Sequence, residues 1–333
     1  MDAVARIART VLYEGYLLWP YRRSAMKNRQ RWTFGGIYPP GFVRDARAGD
    51  AASVRTECLV EAGADLPLDV TVRFLHVVAR RVLRLDDGRA EPVDELVAGG
   101  ERHLSWDEAT EREVRMRGRD RRQLLRGIER AIDVPAGDAE EAIADAGGVV
   151  GLIARSWEAI RGSVHVAATP VAADVLRVSV EVANTTPFDG TDRGAAVRCA
   201  LVSTHTVLHV SGGAFVSQTD PPDALRAAAA ACRNEGAWPV LVGEPGARDT
   251  MLAAPIILSD WPAVAPESPG DLFDGGEIDQ LLVLNVLGLT DAEKEEMAAS
   301  DPRAREILRR CETLSPDARV RLHGTIRSLR PAP

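Results

Sequence analysis

Two histidines four residues apart, His205 and His209, are the first residues in this sequence that suggest chemistry. Imidazole nitrogens bind transition metals and exchange protons near neutral pH. On a helix the pair would lie one turn apart and could chelate an ion, but Thr204, Thr206 and Val207 favour a strand. Residues four apart on a strand are separated by ~13 Å, too far to share one ion. The pair is therefore interpreted either as part of a metal site or as satisfied polar residues on a sheet.

A second candidate is an acidic stretch with five carboxylates in the thirteen residues from Glu267 to Asp279. Such oxygen ligands suit hard divalent cations, although the spacing is not that of an EF-hand loop. An acidic surface of this kind also suits an arginine-rich partner. Carboxylates at a helix start have a structural explanation too, because they face unpaired backbone N–H groups. The candidate ligands of a divalent metal are His205, His209, Glu267, Asp271, Asp274 and Glu277.

The third candidate is Tyr13–Phe42, called here the aromatic-basic segment, which holds eight of the sixteen aromatic residues. No acidic residue occurs between Tyr16 and Arg44. Aromatic and arginine side chains dominate the energetics of protein interfaces and also stack on single-stranded nucleic acid. Three interpretations stay open: the segment wraps the chain's own halves together, binds a protein partner, or binds nucleic acid. The candidate partner-binding residues are Tyr13, Tyr16, Trp19, Tyr21, Arg22, Arg31, Trp32 and Phe34.

Several common enzyme motifs are absent from the sequence. The only lysines are Lys27 and Lys294, and neither follows a glycine-rich phosphate-binding turn. There is no dinucleotide-binding glycine motif, no H-E-x-x-H and no G-x-S-x-G. The four cysteines are far apart, which indicates neither a zinc knuckle nor a disulfide framework. We therefore expect a protein that has no catalytic centre, and we predict no cofactor beyond the divalent metal considered above.

Charge and composition limit the partners and the compartment. The formal net charge is −8, and the acidic excess lies after residue 135, so nucleic acid is an unfavoured partner. The longest apolar runs are too short to cross a bilayer. The first turns carry Asp2, Arg6, Arg9 and Glu14, which an export signal would not contain. We expect a cytoplasmic protein without a membrane span.

The first half predicts a helix followed by a sheet. Apolar residues at helical spacing predict a helix from Ala3 to Trp19, ended by Pro20. Alternating runs at Val54–Val60 and Leu68–Val78 predict two strands paired across Gly63. The Ser105–Glu108 sequence has the form of a capping box and predicts a short helix.

The second half predicts another sheet followed by helices. Strands are expected at Ser163–Ala168, Val175–Val182 and Arg198–Val210, and compact apolar strands at Trp238–Val242 and Met251–Leu258. Helices are predicted at Asp223–Arg233, Asp271–Leu287 and after the starts at Thr290, Asp301-Pro302 and Ser315-Pro316. The chain is thus expected to be α+β, with antiparallel sheets in both halves and a helical C-terminal region. The Ala/Asp/Gly-rich stretch 133–148 predicts a boundary between domains 1–135 and 149–333.

Four stretches, Tyr13–Arg22, Asn28–Gly36, Ser203–His205 and Ala254–Asp274, resemble an uncharacterised protein family found in bacterial gene clusters for nickel–iron hydrogenases and their maturation factors. The resemblance implies a role in building a hydrogenase or in handling its electrons, and it supplies no catalytic residues. We expect an accessory or assembly protein that docks on a hydrogenase subunit or maturation factor. The alternative is a metal-binding enzyme or metal carrier that uses the histidines and carboxylates named above.

Overall fold

The computed structural model describes residues 3–14, 16, 20–22, 24–25, 28, 35–43, 49–63, 66–263 and 279–315. Within them the chain is rich in antiparallel sheet, with 48% strand and 23% helix, and its last helices lie at the C-terminal end. The prediction of antiparallel sheets followed by helices is confirmed at this level. Because about twice as many residues lie in strands as in helices, the fold is mostly β rather than a balanced α+β arrangement.

The first sheet has five antiparallel strands that come from both halves of the chain. Its spatial order is β13, β1, β11, β10, β7. The strands are β1 (Ser53–Ala62), β7 (Ile128–Val134), β10 (Ile160–Ala172), β11 (Val175–Asn184) and β13 (Gly213–Phe215). In β11 the buried residues Leu176, Val178, Val180 and Val182 alternate with more exposed polar ones, because side chains of a strand point to opposite faces in turn.

The second sheet has eight strands arranged around one long strand, β2 (Leu68–Asp86). The first part of β2 pairs with β12 (Val202–Val210) and β6 (Trp106–Arg119), and its last part with β9 (Gly148–Trp157) and β3 (Arg89–Val93). The sheet is completed by β8 (Gly137–Asp145), β14 (Trp238–Leu241) and β15 (Thr250–Ala254). A separate hairpin is formed by β4 (Glu95–Ala98) and β5 (Glu101–Leu104).

The two sheets pack face to face as a β-sandwich. Buried residues of both sheets form one apolar cluster, for example Cys58 and Val180 of the first sheet with Val72, Phe74 and Leu208 of the second. A smaller cluster, which includes Val82 and Ile153, joins the distal part of β2 to the β8–β9 hairpin. The main core is therefore the space between the sheets.

Helices cover the outer face of the second sheet. They are α1 (Ala3–Tyr13), α2 (Pro40–Val43), α4 (Arg193–Arg198), α6 (Asp279–Leu287), α7 (Asp291–Ser300) and α8 (Pro302–Glu312); α3 (Arg121–Arg126) and α5 (Arg226–Ala230) lie elsewhere. Ala8 and Val11 of α1 pack on Leu252 and Ala254, while residues of α6, α7 and α8 pack near Leu75 of β2. No helix within the described ranges is both long and apolar enough to cross a membrane.

Two helix starts agree with the local sequence. Thr290 and Glu293 form the predicted reciprocal capping box at α7. Asp301 caps α8, its side chain accepting from the Arg303 N–H, with Pro302 in the first turn. Of the predicted helix Asp271–Leu287, the structure describes only the part from Asp279 onwards, which is α6. Of the predicted start at Ser315-Pro316, only Ser315 lies among the described residues.

Several predicted elements differ from the structure. The strands at 54–60 and 68–78 exist, but they belong to different sheets: β1 pairs with β11 and β13, and β2 with strands of the second sheet. The described N-terminal helix ends at Tyr13. The predicted helix Asp223–Arg233 is a 3-10 turn at Asp223–Leu225 followed by α5. The segment Arg198–Val210 contains the end of α4 before β12 begins.

The predicted helix at Ser105 is replaced by a strand. The Ser105 hydroxyl accepts a hydrogen bond from the Val82 N–H at 2.9 Å and donates one to the Val93 carbonyl at 2.7 Å. Bonds to β2 and β3 thus take the place of the local cap that the spacing suggested, and β6 begins at Trp106.

The predicted boundary between the two halves is a β-hairpin. Within the stretch 133–148, β8 runs to Asp145 and turns into β9, which pairs with it. Each large sheet also takes strands from both sides of this position. The chain halves 1–135 and 149–333 therefore share both sheets and the core between them.

Candidate functional site

The three described tyrosines of the partner-binding prediction, Tyr13, Tyr16 and Tyr21, are buried by the chain's own residues. The rings of Tyr13 and Tyr16 meet edge to face, with their centroids 5.4 Å apart. Both belong to the cluster formed by the C-terminal helices and the outer face of the second sheet. In this conformation they are core residues rather than an exposed docking surface.

The tyrosine hydroxyls enter a partly buried polar network. Tyr13 donates to Glu111 of β6 at 2.7 Å, and Tyr16 donates to Asp301 at 2.7 Å. The Arg303 guanidinium lies over both rings, 4.1 Å from the Tyr13 centroid, and also donates to the Tyr13 hydroxyl. Five residues, Tyr13, Tyr16, Glu111, Asp301 and Arg303, therefore join α1, β6 and α8, and we call them the tyrosine–carboxylate network.

Electrostatics favour the ionised form of Glu111 in this network. Burial alone would raise the pKa of Glu111, but the hydrogen bond from Tyr13 and the charge of Arg73, 2.7 Å away, lower it overall. Burial raises the pKa of Tyr13, and the neighbouring Arg303 only partly opposes this. A neutral phenol thus donates to a charged acceptor, which is the stronger type of hydrogen bond.

Other described parts of the aromatic-basic segment are also held by the chain itself. Arg22 forms an ion pair with Glu293 at 2.9 Å, and the Ser24 N–H donates to Glu296 at 2.9 Å. Farther along, Tyr38 contacts the ring of Phe42 and accepts a hydrogen bond from Arg193 at 2.8 Å. These contacts agree with the interpretation that the segment wraps its own protein. Trp19, Arg31, Trp32 and Phe34 lie outside the described residues.

The histidine pair lies on β12, as the strand interpretation predicts. His205 is buried, its Nδ1 is 3.3 Å from the Ser203 carbonyl, and its Nε2 has no hydrogen-bond partner among the described residues. Burial, with a smaller effect of Arg73, lowers the pKa of His205 to about 4. His209 contacts the Thr250 hydroxyl through Nδ1 at 3.1 Å.

The described residues do not assemble a metal centre. Strand geometry separates the two histidine positions by ~13 Å, and no group of three potential ligands occurs within the described ranges. The four carboxylate candidates, Glu267, Asp271, Asp274 and Glu277, lie outside those ranges. A metal site that contains them stays a prediction.

Three of the stretches that carry the family resemblance meet at one place in the fold. Gly35 has a positive φ of 54°, and a Cβ atom there would lie 2.5 Å from Pro255 Cγ and 3.5 Å from Ser203 Cα. The Gly35 carbonyl accepts a hydrogen bond from the Thr204 N–H at 3.1 Å, and the Ser203 hydroxyl donates to the Val11 carbonyl of α1 at 3.1 Å. We call Gly35, Ser203, Thr204 and Pro255 the motif junction.

Ser203 itself has an unusual backbone conformation. Its φ is 52°, a region that side-chain-bearing residues rarely adopt, and the pairing of β12 with β2 is irregular between Val202 and His205. The irregularity brings the Ser203 hydroxyl to α1 and the Thr204 N–H to Gly35. The sequence marked Ser203–His205 as distinctive, but only the fold shows that Ser203 and Thr204 tie α1 and residue 35 to β12.

Sequence reasoning did not find the cavity on the outer face of the first sheet. Its volume is about 620 Å³, and its floor consists of Ser179 on β11 and Ala167 on β10, which are cross-strand partners. Charged residues surround the floor: Arg55, Glu57, Arg177, Glu181 and Arg233. We call this cavity the outer-face pocket. Its sequence signal is the period-2 spacing of polar residues, for example Arg177, Ser179 and Glu181, which also describes any solvated strand face.

No model of a known protein family matches this chain, and no curated protein sequence matches it either.

Proposed function

We propose that this protein is an accessory or assembly protein for a nickel–iron hydrogenase and that it acts by docking on a hydrogenase subunit or maturation factor. The partner class comes from the resemblance carried by the four stretches named above. The docking residues in this proposal are Trp19, Arg22, Arg31, Trp32 and Phe34 of the aromatic-basic segment.

The observation that carries the proposal is the motif junction. Gly35, Ser203 and Pro255 come from stretches that are far apart in the sequence, yet they pack together beside α1. Ser203 and Thr204 are buried, so the junction fixes residue 35 to β12 and α1 rather than forming the docking surface itself. The junction and the tyrosine–carboxylate network hold the aromatic-basic segment from both ends, at Tyr13 and Tyr16 and again at Gly35.

Anchoring of this kind favours docking because it lowers the entropy lost on binding. A segment fixed at both ends samples fewer conformations than a free one, so less of the interaction energy is spent on ordering it. Tyr13 and Tyr16 therefore act as anchors within the protein, and the contacts to the partner come from Trp19, Arg22, Arg31, Trp32 and Phe34.

The test is co-purification with defined components. A tagged chain is co-expressed with the large and small subunits of a nickel–iron hydrogenase and with its maturation factors, and captured partners are identified by mass spectrometry. Trp19→Ala and Trp32→Ala are each expected to weaken capture by about thirtyfold, the factor that corresponds to a hot-spot contribution of ~2 kcal/mol. Trp238→Ala is the matched control, because Trp238 is a partly exposed tryptophan on β14 outside the segment.

Two results would contradict the proposal. One is the absence of every hydrogenase component from the captured material. The other is unchanged capture by both segment variants while their thermal unfolding remains cooperative. Loss of cooperative unfolding in Trp19→Ala or Trp32→Ala would assign those residues to the protein's own core instead.

A second candidate function is a metal-binding enzyme or metal carrier. One observation favours it: the Nε2 atom of His205 is buried without a hydrogen-bond partner among the described residues, and its lowered pKa keeps the ring in the neutral form that metals require. Metal analysis of the purified protein tests this candidate. One tightly held equivalent of nickel, iron or zinc that is lost in His205→Ala would support it, and metal-free protein would exclude it.

A further inference from the structure

The outer-face pocket owes its depth to two small residues in the middle of a charged sheet face. Register places Arg55, Glu181 and His165 in one row across β1, β11 and β10. The next row is Glu57, Ser179 and Ala167, whose last two members have short side chains. The third row continues with Arg177 on β11 and Thr169 on β10. Long side chains in the outer rows therefore enclose the space above Ser179 and Ala167.

One ion pair in the pocket is already complete. The Glu57 carboxylate accepts hydrogen bonds from Arg55, at 2.5 and 3.1 Å, and from the Arg233 backbone N–H at 2.8 Å. Burial would raise the pKa of Glu57, but these donors lower it overall, so Glu57 carries its negative charge. Arg55 and Glu57 thus neutralise each other.

Arg177 and Arg233 are not neutralised in the same way. The Arg177 Nε is buried and has no hydrogen-bond partner among the described residues; its Nη2 lies 3.4 Å from the Ala228 carbonyl, and its side chain also contacts the Cys232 thiol. Burial raises the pKa of the neighbouring Cys232 thiol, which therefore supplies no negative charge. The exposed Arg233 guanidinium has no ion-pair partner in the described part of the chain.

We propose that the outer-face pocket binds a small molecule through a carboxylate or phosphate group held between Arg177 and Arg233. Guanidinium groups recognise both oxyanions by paired, charge-assisted hydrogen bonds. The Ser179 hydroxyl lies on the floor as a further donor, and the volume of about 620 Å³ falls within the ordinary range of small-molecule sites. This site is separate from the motif junction and does not depend on the proposed hydrogenase role.

The opposite end of the pocket orients the ligand. Glu181 lies between Arg55 and His165 in the first row, and its carboxylate disfavours a second anionic group near it. The same carboxylate accepts hydrogen bonds from a hydroxyl or amino group. The ligand is therefore expected to carry its oxyanion at one end and a hydrogen-bond donor at the other.

Calorimetric titration at low ionic strength, in a buffer without oxyanions, tests the proposal. The probes are inorganic phosphate and 4-hydroxybutanoate, which carries a carboxylate at one end and a hydroxyl at the other, and the tighter binding of the two distinguishes a phosphate-bearing from a carboxylate-bearing ligand. At least one probe is expected to bind the wild-type protein. Arg177→Gln and Arg233→Gln are each expected to weaken that binding by about tenfold, equivalent to ~1.4 kcal/mol. The matched control Arg226→Gln removes an exposed arginine on α5 that pairs with Asp223, and it is expected to bind as the wild type does.

Steric blocking provides a second, independent variant. Ser179→Leu fills the floor without changing any charge, so it is expected to abolish binding while thermal unfolding stays cooperative. Arg233→Gln keeps the test decisive if Arg177→Gln fails to fold, because Arg233 is exposed. Failure of both probes to bind the wild-type protein, or unchanged binding by Arg233→Gln and Ser179→Leu, would overturn the proposal.

Discussion

Two buried histidines should make this protein lose stability between pH 7 and pH 5. His76 on β2 and His205 on β12 are almost fully enclosed. Burial is the main cause that lowers the pKa of each to about 4; Arg112 contributes at His76 and Arg73 at His205. The backbone of Ser203 and, to a smaller extent, Glu111 partly oppose the lowering of the His205 pKa, and the backbone of Glu158 and of Arg198 partly opposes it at His76.

The sign follows from comparing the folded and unfolded chains. An unfolded histidine titrates near pH 6.5, so below that pH the unfolded chain binds a proton that the folded protein does not. Stability is therefore fully present above about pH 6.5 and is lost as the pH falls towards 4. A shift from 6.5 to about 4 corresponds to ~3 kcal/mol per histidine in full, and about 2 kcal/mol of it is lost by pH 5.

Urea unfolding at pH 7, 6 and 5, followed by tryptophan fluorescence, measures this loss. The free energy of unfolding of the wild-type protein is expected to fall by about 4 kcal/mol over this range, the sum of the two histidines. His76→Gln should lose only about half as much, whatever its stability at pH 7. Glu57 and Glu111, whose pKa values are lowered, lose their stabilising effect only at lower pH, so they do not obscure the result.

His165→Gln is the matched control, because the His165 ring lies on the exposed outer face of the first sheet. It should follow the wild-type pH dependence. A wild-type protein whose unfolding free energy is constant from pH 7 to pH 5 would refute the argument. So would a His76→Gln variant that loses as much stability as the wild type.

Two further changes test the packing of the candidate sites. Asp301→Ala removes the cap of α8 and the acceptor of the Tyr16 hydroxyl, so we expect a loss of about 3 kcal/mol in urea unfolding, against about 1 kcal/mol for the exposed cap variant Thr290→Ala. Equal losses would show that the Tyr16–Asp301 bond adds nothing. Gly35→Ala should cost about 2 kcal/mol, because it combines a positive φ with a clash against Pro255. Gly147→Ala, which meets no atom within 4 Å, is its control, and a Gly35→Ala variant as stable as this control would contradict the described motif junction.

Local sequence was sufficient for features that depend on a few neighbouring residues. Thr290 with Glu293 and Asp301 with Pro302 define helix starts because their side chains satisfy N–H groups two or three residues away. Alternation along β10 and β11 identified strands, since side-chain direction repeats every two residues. The strand character of β12 was likewise predicted from its β-branched residues.

Long-range contacts decided the sites. The aromatic-basic segment was known to be rich in tyrosine, but its composition did not show that Tyr16 would meet Asp301, 285 positions away. Composition likewise did not show that Gly35 would pack against Pro255, or that Ser105 would form hydrogen bonds with Val82 and Val93. A polar or small residue can be exposed to solvent, cap a helix or form a buried hydrogen bond. Which of these occurs depends on the residues, distant in sequence, that the fold places beside it.

The sequence by itself determined where many strands and helices begin and which residues of a strand share a face, because both follow from interactions within a few residues. Only the tertiary structure decided that β1 and β2 lie in opposite sheets, that β1 pairs with β11 from Ser53 opposite Ala183, and that Arg55, Arg177 and Arg233 surround one cavity. The physical reason is that backbone hydrogen bonds between strands are the same for every residue type. Strand pairing is therefore selected by the burial of whole sheet faces, which no local pattern encodes.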